Sequence, residues 1–75
     1  MRFIEMSART LARVVNEGEL QPADLEAAGI TDDTVVRVNE QGDVEVRRAD
    51  QWDLVGGLLG DYEERVHRLT GLDWL

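Results

Sequence analysis

No cysteine occurs in the chain, so neither a disulfide framework nor a thiolate metal site is open to it, and an oxidising compartment has nothing to act on. Lysine is absent too: eight arginines stand against sixteen carboxylates, for a net charge of −8. A field of that sign repels phosphate backbones and anionic membranes within a Debye length, while favouring solubility and basic partners. Generic nucleic-acid binding is disfavoured, and the sharper readings of the charge are a basic partner or mimicry of a nucleic acid. No apolar stretch approaches the roughly 20 residues that a membrane span requires, and Met1-Arg2-Phe3-Ile4-Glu5-Met6 lacks the apolar core of a signal peptide. A cytoplasmic location without a membrane partner is the expectation. Serine and histidine each occur once, as Ser7 and His67, which leaves little for nucleophilic catalysis or a zinc site.

What is present suffices for one small core. Of the 75 residues, 43% are hydrophobic and 32% charged, too apolar for an acidic disordered tail. Domains of this size hide only about 60% of the surface of the unfolded chain. Their thin cores often gain stability by oligomerisation, so self-association is an open route.

Arg2 to Met6 is a candidate strand. Ser7 follows as an N-cap, and Ala8, Leu11, Ala12 and Val15 fall on one face of a helix expected over Ala8 to Glu17 and ended by Gly18. Pro22 suits the first position of a second helix, Pro22 to Ala28, with Asp24 in its first turn and Gly29-Ile30 as a Schellman stop. Thr34 to Arg48 reads as a hairpin around Glu40-Gln41-Gly42, with Asn39 paired to Asp43. In that register Val38 faces Val44 and Val36 faces Val46, while Arg37 meets Glu45 on the other face. A lone hairpin is marginal in water, so its valine face needs a cover, and the N-terminal segment is the candidate third strand.

From Asp50 onward, Trp52, Val55, Leu59, Tyr62, Val66 and Leu69 recur at spacings of three and four, the pattern of a long apolar seam. Gly56, Gly57 and Gly60 each cost about 1 kcal/mol in a helix interior. A continuous or kinked helix in which Gly56 and Gly60 admit another backbone is the favoured reading; the alternative is a break, with Asp61 capping a second helix and Glu64 completing a capping box. Asp61 with Arg65, and Glu64 with Arg68, are expected as i, i+4 pairs on its outer face. Gly71 stops the helix before Leu72-Asp73-Trp74-Leu75. The expected fold is therefore a small α+β domain: two N-terminal helices, a hairpin with a third strand from the N-terminus, and a longer C-terminal helix on the sheet.

Few constellations point to chemistry. Glu64 and His67 have the Glu-x-x-His spacing used in di-iron bundles, but a site needs a second copy and further carboxylates. Asp32, Asp33 and Asp43 lack the spacing of a calcium loop, and Val55 to Gly60 lacks the Lys-Ser/Thr of a phosphate loop. No cofactor or metal is expected, nor catalysis. Helix, short helix, hairpin and helix is also the order of a winged helix-turn-helix, with Arg37, Arg47 and Arg48 as its basic contacts; acidic residues in the recognition helix and wing tip oppose that reading. The leading expectation is a non-catalytic protein-interaction or self-association module, with Gly56 and Gly60 on the last helix and the Trp74-Leu75 tail as its contact residues.

Overall fold

The computed structural model describes residues 1–75. Its sheet is a four-stranded antiparallel meander of β1 (Phe3–Ser7), β2 (Val35–Asn39), β3 (Asp43–Arg48) and β4 (Gln51–Gly57), and three helices make the protein mixed α+β. The helices are α1 (Ala8–Val14), α2 (Pro22–Ala27) and α3 (Tyr62–Thr70).

The β2–β3 hairpin has the register that the valine alternation implies, with Val36 opposite Val46, Arg37 opposite Glu45 and Val38 opposite Val44. At its tip, the Asn39 side-chain oxygen accepts from the backbone amides of Gln41 (2.8 Å) and Asp43 (3.0 Å). Gly42 adopts φ +87°, and a Cβ there would come within 2.6 Å of the Leu58 carbonyl oxygen, so only glycine fits between the tip and the chain leaving β4. The N-terminal segment is the third strand: Ile4 pairs with Val38 and Met6 with Val36. Strand alternation then places Ile4, Met6, Val36, Val38, Val44 and Val46 on one face. All six are buried in one cluster with Leu11 and Val14 of α1, Leu25 of α2 and Val66 of α3. Each such side chain contributes roughly 1.5–3 kcal/mol relative to exposure, so this layer carries most of the fold.

Local signals set the ends of the first two helices. The Ser7 hydroxyl accepts from the Thr10 amide at 3.1 Å, giving α1 its cap. The helix stops at Val14, short of Glu17, because Val15 is already extended and Glu19 accepts from the Asn16 amide at 2.7 Å, drawing the chain into a turn at Gly18. In α2 the Asp24 carboxylate accepts from the Gln21 amide at 2.9 Å. The Schellman stop is present, with bonds from Gly29 to the Glu26 carbonyl and from Ile30 to the Leu25 carbonyl, both 2.9 Å.

The long C-terminal helix is not formed. Gln51 to Gly57 is a fourth strand, joined to β3 through Ala49 and Asp50, so Asp50 is a turn residue and not the start of a helix. Trp52-Asp53-Leu54 also alternates with period two, and pairing with β3 completes the sheet without placing any glycine inside a helix. Val55 is an extra residue between the Leu54–Glu45 and Gly56–Val44 pairs, a bulge that changes which side chains face the helices. Gly56 is therefore a strand residue on which Leu20 lies: a Cβ would meet the Leu20 side chain at 3.0 Å. Gly60 turns the chain with φ +62°, and a Cβ there would meet nothing within 4 Å. A helix does begin after Asp61, as the alternative has it, but a strand rather than a first helix precedes it, and the Asp61 side chain makes no capping bond. Neither expected i, i+4 ion pair forms: Arg65 points inward, buried, and bonds Glu19.

Candidate functional site

One face of the sheet lies under the three helices, and the other has none upon it. Alternation puts Phe3 and Glu5 of β1, Val35 and Arg37 of β2, Glu45 and Arg47 of β3, and Trp52 and Leu54 of β4 on this open face. Its centre is Arg37. The guanidinium carbon stands 3.8 Å from the centroid of the Phe3 ring and 4.1 Å from that of Trp52, while Nε donates to Glu45 Oε1 at 2.9 Å. Two rings and a carboxylate thus fix one long side chain in place. Each cation–π contact contributes about 0.5–1 kcal/mol at a site of this exposure. The surroundings are apolar and wet: Leu54 is 66% exposed and Val35 44%.

Hydrogen-bonding and charge divide the three arginines named from the sequence. Arg37 is neutralised by Glu45. Arg48 turns to the helix side, where it pairs with Asp53 at 3.2 Å and donates to the Ala28 carbonyl at 2.9 Å. Arg47 remains on the open face, 5.7 Å from the Trp52 ring, and is paired with no carboxylate. The three do not form one basic patch. The rings of Phe3 and Trp52 are also engaged by guanidinium groups rather than laid flat for stacking bases.

The C-terminal tail closes the other side of β1. Leu75 donates its backbone amide to the Phe3 carbonyl at 2.8 Å, and its side chain stays exposed. Trp74 is half-buried against the core, with Arg2 over its ring at 5.0 Å and its indole N–H donating to Glu63 at 2.8 Å. A cleft of about 490 Å³ opens between β1, α3 and this tail, and Glu64 and His67 line it. No three His, Cys, Asp or Glu side chains converge anywhere in the chain to hold a metal. Of the four contact residues expected from the sequence, Gly56 and Gly60 are thus taken out of any helix face, and Trp74 and Leu75 lie together at the β1 edge.

A second arginine–glutamate pair sits on the covered side. Arg65 Nη2 contacts Glu19 Oε2 at 2.9 Å, and the two side chains are 5% and 4% exposed. Glu19 also accepts from the amides of Asn16 (2.7 Å) and Leu59 (2.7 Å), tying the α1–α2 loop to the approach to α3. Burial pushes the Glu19 carboxyl up, but the Arg65 hydrogen bond, the two amides and the Arg65 charge outweigh it and hold the group below its usual 4.5. Burial, with Glu63 and Glu40 nearby, pushes the Tyr62 phenol up; its hydroxyl donates to the Asn39 carbonyl at 3.1 Å.

Sequence reasoning missed the site because it assigned Trp52 to a helical seam. The signal for it was the alternation from Trp52 to Leu54 immediately after a strand ending in two arginines. No protein-family model, no curated protein and no solved structure matches the chain.

Proposed function

We propose that the protein is a small non-catalytic binding module that offers the open face of its sheet to a protein partner. The observation carrying this reading is the Phe3–Arg37–Trp52 stack, fixed by Glu45 and edged by the exposed apolar side chains of Val35 and Leu54. Arginine and tryptophan are the residues most often found at the energetic centres of protein interfaces, because each presents a large, specific contact area. An arginine already held between two rings loses little rotamer freedom on binding, which preserves the affinity that ordering a free side chain would remove. The covered side offers no comparable surface, since its large apolar groups are spent on the core. Catalysis finds no support in the single serine, committed to capping α1, or in His67, which sits on an open cleft rim.

Site-specific photocrosslinking in cells tests the reading. A benzophenone amino acid at Leu54 should give a discrete protein adduct, and the same probe at the exposed Ala23 of α2 should give none. Absence of an adduct from Leu54, or an identical pattern from both positions, would overturn it.

A further inference from the structure

We infer that the partner of this face is a second copy of the same chain, docked face to face about a two-fold axis with Glu5 of each copy paired to Arg47 of the other. The inference rests on the reading above that the open face is a contact surface.

Charge identifies the occupant. The face carries Arg37 and Glu45, already paired with each other at 2.9 Å, Asp43 held by the Asn39 side-chain amide at 3.2 Å, and two groups with no ion partner in the strands themselves, Glu5 on β1 and Arg47 on β3. These two cannot meet within the chain. Strands lie about 4.8 Å apart, so two strand spacings alone separate them by about 10 Å, and Arg47 lies two residues further along from the row of Glu5, Arg37 and Glu45. A two-fold operation exchanges them: each copy places its Glu5 where the other presents Arg47, giving two equivalent ion pairs on either side of the central stacks. Arg37, Arg47, Glu5 and Glu45 cancel, and Asp43 at the hairpin end leaves the face with a single net negative charge, so most of the net charge of −8 resides elsewhere on the molecule. Two copies therefore repel over most of their surfaces and least over this one. A basic foreign protein, by contrast, would be drawn to the strongly acidic remainder rather than to a face whose charges nearly balance.

Size sets the strength. Four strands by five residues give a footprint of about 19 by 17 Å, which falls short of the roughly 800 Å² per partner in stable complexes and places the dimer in the weak, reversible class. The β1 edge is occupied by the backbone of Leu75, so the tail does not obstruct the face.

Sedimentation equilibrium from about 10 μM to about 1 mM, the range in which interfaces of this class dissociate, decides the matter. The wild-type chain should pass from monomer to dimer. Glu5→Arg and Arg47→Glu should each weaken association about tenfold by setting like charges opposite one another, and the double variant should recover it. Melting temperatures of all four proteins check that the fold is retained, both positions being exposed. A wild-type chain that stays monomeric throughout would overturn the second copy as partner, while a foreign adduct at Leu54 would leave the binding-face reading standing. A dimer unaffected by either swap would overturn this surface as its interface.

Discussion

Each side of the sheet has one arginine–glutamate pair, Glu19–Arg65 between the α1–α2 loop and α3 on the covered side and Arg37–Glu45 on the open strands, and the contrast between them shows what depth does to the same chemistry. On the covered side, Glu19 and Arg65 are almost out of water and lock a loop to a helix. On the open side, Arg37 and Glu45 are about one-fifth exposed, and Arg37 lies between the rings of Phe3 on β1 and Trp52 on β4. The same two residue types thus serve different ends according to depth. A buried pair is costly to break, because the surviving partner is left charged and unpaired. A pair that water still reaches adds less to stability, since water can replace either partner. What Arg37 gains is a fixed position on the open face.

The largest expected effect comes from breaking the deep pair. Glu19→Leu should lower the unfolding free energy by about 3–5 kcal/mol, a large part of what a chain of this size has, read as a reduced urea midpoint. Arg65 would keep its charge with no carboxylate, when its Nε and Nη1 already lack acceptors. The amides of Asn16 and Leu59 would lose theirs as well. For that reason Glu19→Leu combined with Arg65→Met should recover only part of the loss.

Acid reads the same pair without a change of shape. Because folding lowers the Glu19 carboxyl below 4.5, its contribution is complete above that value and is lost as pH falls through the lowered folded value. Glu40, on the surface, is also lowered, chiefly by the backbone N–H of Arg2, and that contribution is common to wild type and Glu19→Gln. Urea midpoints measured downward from pH 6 should therefore fall more steeply in wild type than in Glu19→Gln. Equal slopes would mean that the buried pair is not what acid attacks.

The covered face was legible in the sequence, and the open face was only half so. Val36, Val38, Val44 and Val46 alternate around a turn whose Gly42 fixes the register, so the hairpin, and with it the place of Arg37 opposite Glu45, follows from local pattern. β4 did not follow, because Trp52, Val55, Leu59, Tyr62 and Val66 match a helical period by coincidence, and the bulge at Val55 breaks the period-two signal after three residues. Phe3, Trp52 and Arg37 come together only when β1 and β4 are laid on opposite sides of the hairpin, a long-range fact. The Glu19–Arg65 pair spans 46 positions, and no spacing rule reaches that far. Arg65 reads as a surface residue from its helical neighbours, and only tertiary packing turns it inward.

A smaller effect should separate charge from shape at the open pair. Arg37→Lys keeps the charge and can still approach Glu45, but a rounded ammonium cannot lie flat between Phe3 and Trp52. The loss in stability should be about 1 kcal/mol, the scale of the two stacks, and tryptophan emission from Trp52 should change as its ring is released. A cost comparable to that of Glu19→Leu would show that the open pair is structural after all, and the division between the faces would fail.

The smallest expected effect on stability is the most telling for function. Leu54→Glu replaces a side chain that is 66% exposed on a strand with one face in water, so the unfolding free energy should move by no more than about 0.5 kcal/mol. Any contact made by the open face should nevertheless be lost, because a second carboxylate would be buried directly opposite Glu45, its cross-strand partner. Such a variant, unchanged in urea and unable to form the Leu54-face contact, would place folding on one side of the sheet and recognition on the other. If Leu54→Glu instead unfolds the protein, Leu54 belongs to the core in solution and the open face is not a free surface.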